Sequence, residues 1–172
     1  MAKEKLNRPL SNLNPASSRR RLSRYGPLLI WAALIFIGSS DLLAGSHTAG
    51  FLVRPLRWLF PNSSEATLQT IHLLIRKAGH VVEYAILAGL AARAFRTSSR
   101  ELLRARWFWI SLLVVVVYSL TDEYHQSFVP SRGASLHDSL IDSLGGLAAL
   151  AIIAWRHRAK TRSGSERIKR DR

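Results

Sequence analysis

Trp107–Thr121 reads WFWISLLVVVVYSLT, and Pro27–Ser40 reads PLLIWAALIFIGSS. Neither stretch contains a charged residue, and neither has a polar side. A helix on the surface of a soluble protein shows an apolar stripe backed by a polar face, so helices that are apolar all round belong in a bilayer. Two further stretches resemble them: Ser143–Trp155 is free of charge, and Ala78–Ala92 is interrupted only by His80 and Glu83. Each falls slightly short of the roughly 20 residues that cross the hydrocarbon core, and each reaches that length with its flanking Ser, Asp, Tyr and Trp residues. The sequence therefore predicts an all-α integral membrane four-helix bundle. Its spans lie over about Gly26–Ala44, Ala66–Ala94, Ala105–Thr121 and Asp138–Trp155.

The 172 residues include 25 Lys and Arg against 11 Asp and Glu, a formal net charge of +14. That excess selects either nucleic acid or an anionic membrane as partner, and its placement decides between them. Seven basic residues precede the first span (Lys3, Lys5, Arg8, Arg19, Arg20, Arg21 and Arg24). Five more, from Arg93 to Arg106, lie between spans two and three, and eight follow Trp155. The other five (Arg54, Arg57, Arg76, Lys77 and Arg132) flank the opposite ends. This alternation follows the positive-inside rule and predicts both termini in the cytoplasm. No aromatic residue follows Trp155, so the basic tail has no stacking platform and nucleic acid is not expected. Membrane lipids are the expected partner of both tails.

Residues 1–25, with Pro9, Pro15 and a Ser/Asn-rich run, read as a basic disordered cytoplasmic tail. The membrane domain occupies 26–155, and 156–172 is a second basic cytoplasmic tail. The first span follows a long basic region and precedes three others, so it reads as an uncleaved helix rather than a signal peptide. In the first outer loop, Phe51–Phe60 (FLVRPLRWLF) mixes aromatic and apolar residues with Arg54, Pro55 and Arg57, as an interfacial segment does. Ser63 or Ser64, followed by Glu65, marks the start of the next helix. Gly145-Gly146 and Ala148-Ala149 allow close helix packing in span four.

Polar residues near the spans collect toward one side. Lys77, His80, Glu83 and Tyr84 are spaced to share a helical face. Asp122, Glu123 and Gln126 sit where span three ends, and Asp138 and Asp142 are one turn apart where span four begins. A charge at the centre of a membrane helix costs about 2.5–3.5 kcal/mol on insertion scales. Glu83 and Asp142, the deepest of the set, are therefore expected to face the bundle interior and pair with Lys77, His80 or Arg132. Three readings fit: a cationic pocket for a lipid headgroup, an enzyme with His80 or Glu83 as acid/base, and a network that only fastens the helices. In the first, Lys77 and Arg132 bind anionic oxygens while Tyr84 and Gln126 orient them. No cofactor is expected. No metal is expected either, because the chain lacks cysteine and no paired-His helix spacing accompanies His80, His125 or His137.

The segments RKAGHVVEYAILAGL (Arg76–Leu90) and TDEYHQSFVPSRGASLHDSLIDSLGG (Thr121–Gly146) closely resemble the VanZ-like family of small bacterial membrane proteins. The resemblance extends over about Leu28–Ala154. The matching positions are Lys77, His80, Glu83 and Tyr84, then Asp122-Glu123, Gln126, Arg132, Asp138 and Gly145, with Ser39-Ser40 at the end of span one. At Asp142 many relatives carry Asn, so this chain makes the pocket more negative. The founding member is associated with low-level resistance to teicoplanin, a lipid-tailed glycopeptide that acts at the outer membrane face. The resemblance implies a cell-envelope protein and agrees with an outward-facing site, while the residues themselves make an anionic lipid-linked or amphiphilic small molecule the expected ligand. Fold analogy alone supplies no mechanism.

Overall fold

The computed structural model describes residues 15–40, 54–128 and 135–170. Among these, every regular element is helical: α1 Pro15–Ser39, α2 over 54–59, α3 Glu65–Arg96, α4 Glu101–Ala105, α5 Trp107–Gln126 and α6 Leu136–Arg170. Three are long and apolar enough to cross a membrane, through Ser18–Ser39, Trp107–Gln126 and Leu136–Thr161. The expected fourth, α3, misses that standard because His80, Glu83 and Arg93 interrupt its apolar run.

Large apolar side chains such as Leu29, Leu34, Trp109, Leu113, Val117, Leu140 and Ile152 point outward. The interior is instead built largely from small residues. Ala88, Ala91, Ala92 and Ala94 of α3 meet Ile35 of α1, Val115 of α5 and Leu150 of α6, with Tyr84 and Leu87 filling the remaining space. Small residues inside and bulky ones outside is the packing expected where lipid is the solvent.

α3 lies at the centre and packs against α6, α5 and α1. The glycine pair in α6 sets the closest approaches. A Cβ on Gly145 would stand 3.0 Å from the Val81 carbonyl oxygen, and one on Gly146 would stand 2.6 Å from Val115 Cγ1. Side-chain hydrogen bonds add to this packing. Trp31 Nε1 donates to the Glu83 carbonyl over 2.9 Å, and the Tyr118 hydroxyl donates to the Ala32 carbonyl.

Several boundaries differ from the sequence reading. α1 begins at Pro15, so residues 15–25 are helical rather than part of a disordered tail. Proline suits that first position because its missing N–H has no helical acceptor there. At the other end, the expected Asp41–Ala44 extension of span one lies outside the described residues, as does 51–53 of the interfacial segment. α2 carries exposed Trp58 and Leu59, and Arg57 pairs with Glu65 at the start of α3. Ser64 caps that helix, its hydroxyl accepting from the Thr67 amide at 3.2 Å. Span three also starts later, at Trp107, after the separate turn of α4. It then continues to Gln126, so residues expected in an outer loop lie on a helix instead. α6 starts at Leu136 and continues past Trp155 to Arg170.

Candidate functional site

Ser119, Asp122, Glu123 and Gln126 follow the i, i+3, i+4, i+7 pattern that puts them on one face of α5, and all four are buried. They meet the first turns of α6, where Ser139 and Asp142 are buried in turn. The Ser119 hydroxyl lies 2.9 Å from the hydroxyls of both Ser139 and Ser143. Gln126 Nε2 donates to Asp122 Oδ2 at 2.9 Å and reaches Ser39 Oγ of α1 at 3.4 Å. Glu123 Oε2 accepts the backbone N–H of Ser135 at 2.8 Å, which fixes the chain as it enters α6. Lys77 of α3 forms an ion pair with Asp138. The polar end is therefore cross-linked between all four long helices.

Within this network two polar atoms lack a hydrogen bond of ordinary geometry, Asp122 Oδ1 and the Tyr84 hydroxyl. Both are buried, and they lie beside one another, with Asp142 and Tyr118 also within electrostatic reach of the hydroxyl. Asp142 is only 4% exposed and lies among Glu123, Asp122, Asp138 and Glu83. In front of this group is a narrow cleft lined by Arg76, Lys77, His80, Glu123, Gln126, Asp138, Ile141 and Asp142. Its free space is about 20 Å³, room for one water molecule.

The structure thus brings together Lys77, His80, Tyr84, Asp122, Glu123, Gln126, Asp138 and Asp142. Arg132 lies outside the described residues. Glu83 departs from the expectation that it faces the interior. Its side chain is 44% exposed, and its carboxylate sits 3.6 Å from His80 Nδ1. Helical geometry explains this. At 100° per residue, His80 and Tyr84 fall within about 60° of Lys77, whereas Glu83 is about 120° round. Asp142 does face inward as expected, while Lys77 pairs with Asp138 instead.

The sequence reading missed Arg76 at the rim and the serine trio Ser119, Ser139 and Ser143. Spacing was the available signal: Ser119 precedes Asp122 by three and Glu123 by four, and Ser139 precedes Asp142 by three. Of the other histidines, His125 stacks on Phe36 with ring centroids 4.3 Å apart, and His137 is exposed. Among the described residues, no three His, Asp or Glu side chains are arranged to hold a metal ion. What the arrangement offers is a set of desolvated acids, an imidazole with a carboxylate 3.6 Å away, and two cationic side chains at the entrance.

No curated protein and no solved structure matches the chain. The family model described as VanZ/LLP1 matches residues 25–157, a range that contains the apolar segment Trp107–Gln126, most of the other two, the glycine pair and every residue of the polar cluster. By that match, the chain belongs to the VanZ/LLP1 family of membrane proteins.

Proposed function

We propose that this VanZ-family protein spans a bacterial cytoplasmic membrane four times, with both termini inside. Its outward-facing polar site then holds the anionic headgroup of a lipid-linked or amphiphilic ligand. α3 is the fourth span. From Val81 to Ala92 its only charged residue is Glu83, and α1, α5 and α6 shelter it from lipid. The alternation of basic residues along the chain supports the orientation.

One observation carries the ligand reading: Arg76 and Lys77 stand at a cleft whose wall includes the buried polar groups of Glu123, Gln126 and Asp142. Lys77 is 44% exposed, so its ammonium can exchange Asp138 for an incoming anionic oxygen. Because the cleft admits only a water-sized group, the headgroup stays at the rim and at most one hydroxyl reaches inward. Resistance to a lipid-tailed glycopeptide is one role that such a site serves, and expression in a susceptible host followed by teicoplanin challenge tests it.

Native mass spectrometry of the gently extracted protein tests the site. Wild type should retain a phosphate-bearing amphiphile that Lys77→Gln loses, with unchanged thermal unfolding. Equal occupancy in both, together with an Asp122→Ala protein that unfolds early, would reduce the cluster to a helix-fastening network.

A second reading rests on the 3.6 Å approach of Glu83 to His80. A carboxylate that orients an imidazole is the arrangement of a general base, which suits an enzyme acting on a lipid-linked envelope intermediate. It requires that His80→Gln abolish turnover of such a substrate while the protein remains folded.

A further inference from the structure

The other end of the helix assembly carries a second feature, independent of the polar cluster. Here the C-terminal turns of α3, the α4 turn, the start of α5 and the cytoplasmic-side continuation of α6 surround a cavity of about 530 Å³. Arg93, Arg96 and Arg104 line it together with Thr97, Trp107 and His157. Arg96 lies over the Trp107 ring, 5.3 Å from its centroid, which holds that guanidinium in place. Arg20 and Arg24 of α1 extend the cationic surface through a neighbouring cavity that shares Arg93 and Thr97, and Arg24 is fixed by a 3.1 Å hydrogen bond to Ser99. No carboxylate lines either cavity. Among the described residues, the ion pairs involve no arginine of this end.

Past Trp107 and His157, the arginine cavity meets another of about 530 Å³, different in kind. Arg106, His157 and Arg158 border it, and the rest of its wall is apolar: Phe108, Trp109 and Trp155 with the small residues Ala151 and Ala154 of α6. A fork of guanidinium groups matches phosphate oxygens, and an aromatic, small-residue trough matches hydrocarbon. Tryptophan also marks the level where headgroup gives way to acyl chain. Joined end to end, the two cavities have the polarity of a phospholipid. With no carboxylate in the lining, nothing receives the ammonium of a zwitterionic headgroup.

We propose that this end is a built site for one anionic glycerophospholipid, its phosphate held by Arg93, Arg96 and Arg104 and its first acyl carbons laid along Ala151 and Ala154. Basic pockets between membrane helices on the cytoplasmic side take such headgroups. The site discriminates by headgroup charge, beyond the diffuse attraction of two basic tails.

The test is a lipid titration of the full-length protein in mild detergent, read by native mass spectrometry. The probes are phosphatidylglycerol, phosphatidylethanolamine with the same acyl chains, and glycerol 3-phosphate. Wild type should take up one phosphatidylglycerol at least tenfold more tightly than either of the others. Arg93→Gln/Arg104→Gln changes two exposed side chains and should lose that preference, while Arg93→Lys/Arg104→Lys should keep most of it. Ala154→Trp, which fills the trough, should weaken the lipid and leave glycerol 3-phosphate unaffected. Phosphatidylglycerol binding that is lost in Lys77→Gln and kept in Arg93→Gln/Arg104→Gln would instead assign the lipid to the opposite end and overturn the site. Equal binding of the two lipids, or undiminished phosphatidylglycerol binding in the glutamine variant, would overturn the site. Glycerol 3-phosphate binding as tightly as the lipid would replace the phospholipid with a soluble anion.

Discussion

Around Ser119–Asp142, Asp122, Glu123 and Asp142 are buried; Asp122 accepts a glutamine amide and Glu123 a backbone N–H. Around Arg93–Arg106 the charges are guanidinium groups apart from Glu101, mostly exposed and, among the described residues, in no ion pair, and their fixed contacts are one serine hydroxyl and one tryptophan ring. The same helix, α3, supplies residues to both ends. The contrast teaches that a residue's charge says little about its energetic role until its solvent is known. At the first end, polar atoms have given up solvent and depend on each other's geometry. At the second they remain wet and are available to an outside partner.

This contrast can be broken most sharply at Gln126. Gln126→Leu removes the donor to Asp122 Oδ2 and strands a buried carboxylate oxygen, a loss of about 1–3 kcal/mol. Thermal unfolding in detergent should show it as a clear drop in midpoint. Gly145→Ala tests the packing beneath the site, because the new methyl meets the Val81 backbone, which cannot rotate away. Overpacking of that kind costs about 1–3 kcal/mol, and the same unfolding assay reads it. Replacing Asp142 should act in the opposite direction. Four carboxylates surround it, so Asp142→Asn removes like-charge repulsion on the order of 1 kcal/mol and should raise the midpoint. Ser119→Ala should cost about 0.6 kcal/mol for each of its two interhelical bonds. At the basic end, Arg104→Gln should move stability by no more than about 0.5 kcal/mol, as exposed substitutions do. Raising salt should weaken binding there while the polar-end variants keep their order, since buried groups are screened little.

Much of this was legible in the sequence, for identifiable reasons. Charge-free runs such as Trp107–Thr121 have few alternatives to a membrane helix, and α1, α5 and α6 follow from them. The Ser64 start of α3 was readable because a capping serine and an early glutamate are local features. The polar cluster was legible too, because acids beside apolar runs require an explanation wherever they occur. α3 was harder. Its polar residues lower its apolar character below that of its neighbours, and its burial depends on three helices distant in sequence. The orientation of Glu83 was obscured by a spacing argument that grouped it with Tyr84, although adjacent residues diverge by about 100°. Ser119, Ser139 and Ser143 were invisible for a related reason. A serine in an apolar run can bond its own helix or a neighbour, and only the packing of α5 on α6 selects the second.

The central position of α3 also bears on the order in which the chain is made. Of its partners only α1 precedes it during synthesis, while α5 and α6, against which it packs most of its length, come later. Lys77 therefore emerges long before Asp138, and Val81 long before the glycine that must slide against it. Until residues near Gly146 have been added, α3 is a half-finished interior with its polar groups unmatched. A ribosome stalled between α5 and α6 would hold a chain that has two of its three most apolar helices and lacks the element that fastens them. The final helix thus works as the closing step of assembly, and a chain truncated before it should be the form that quality-control proteases remove.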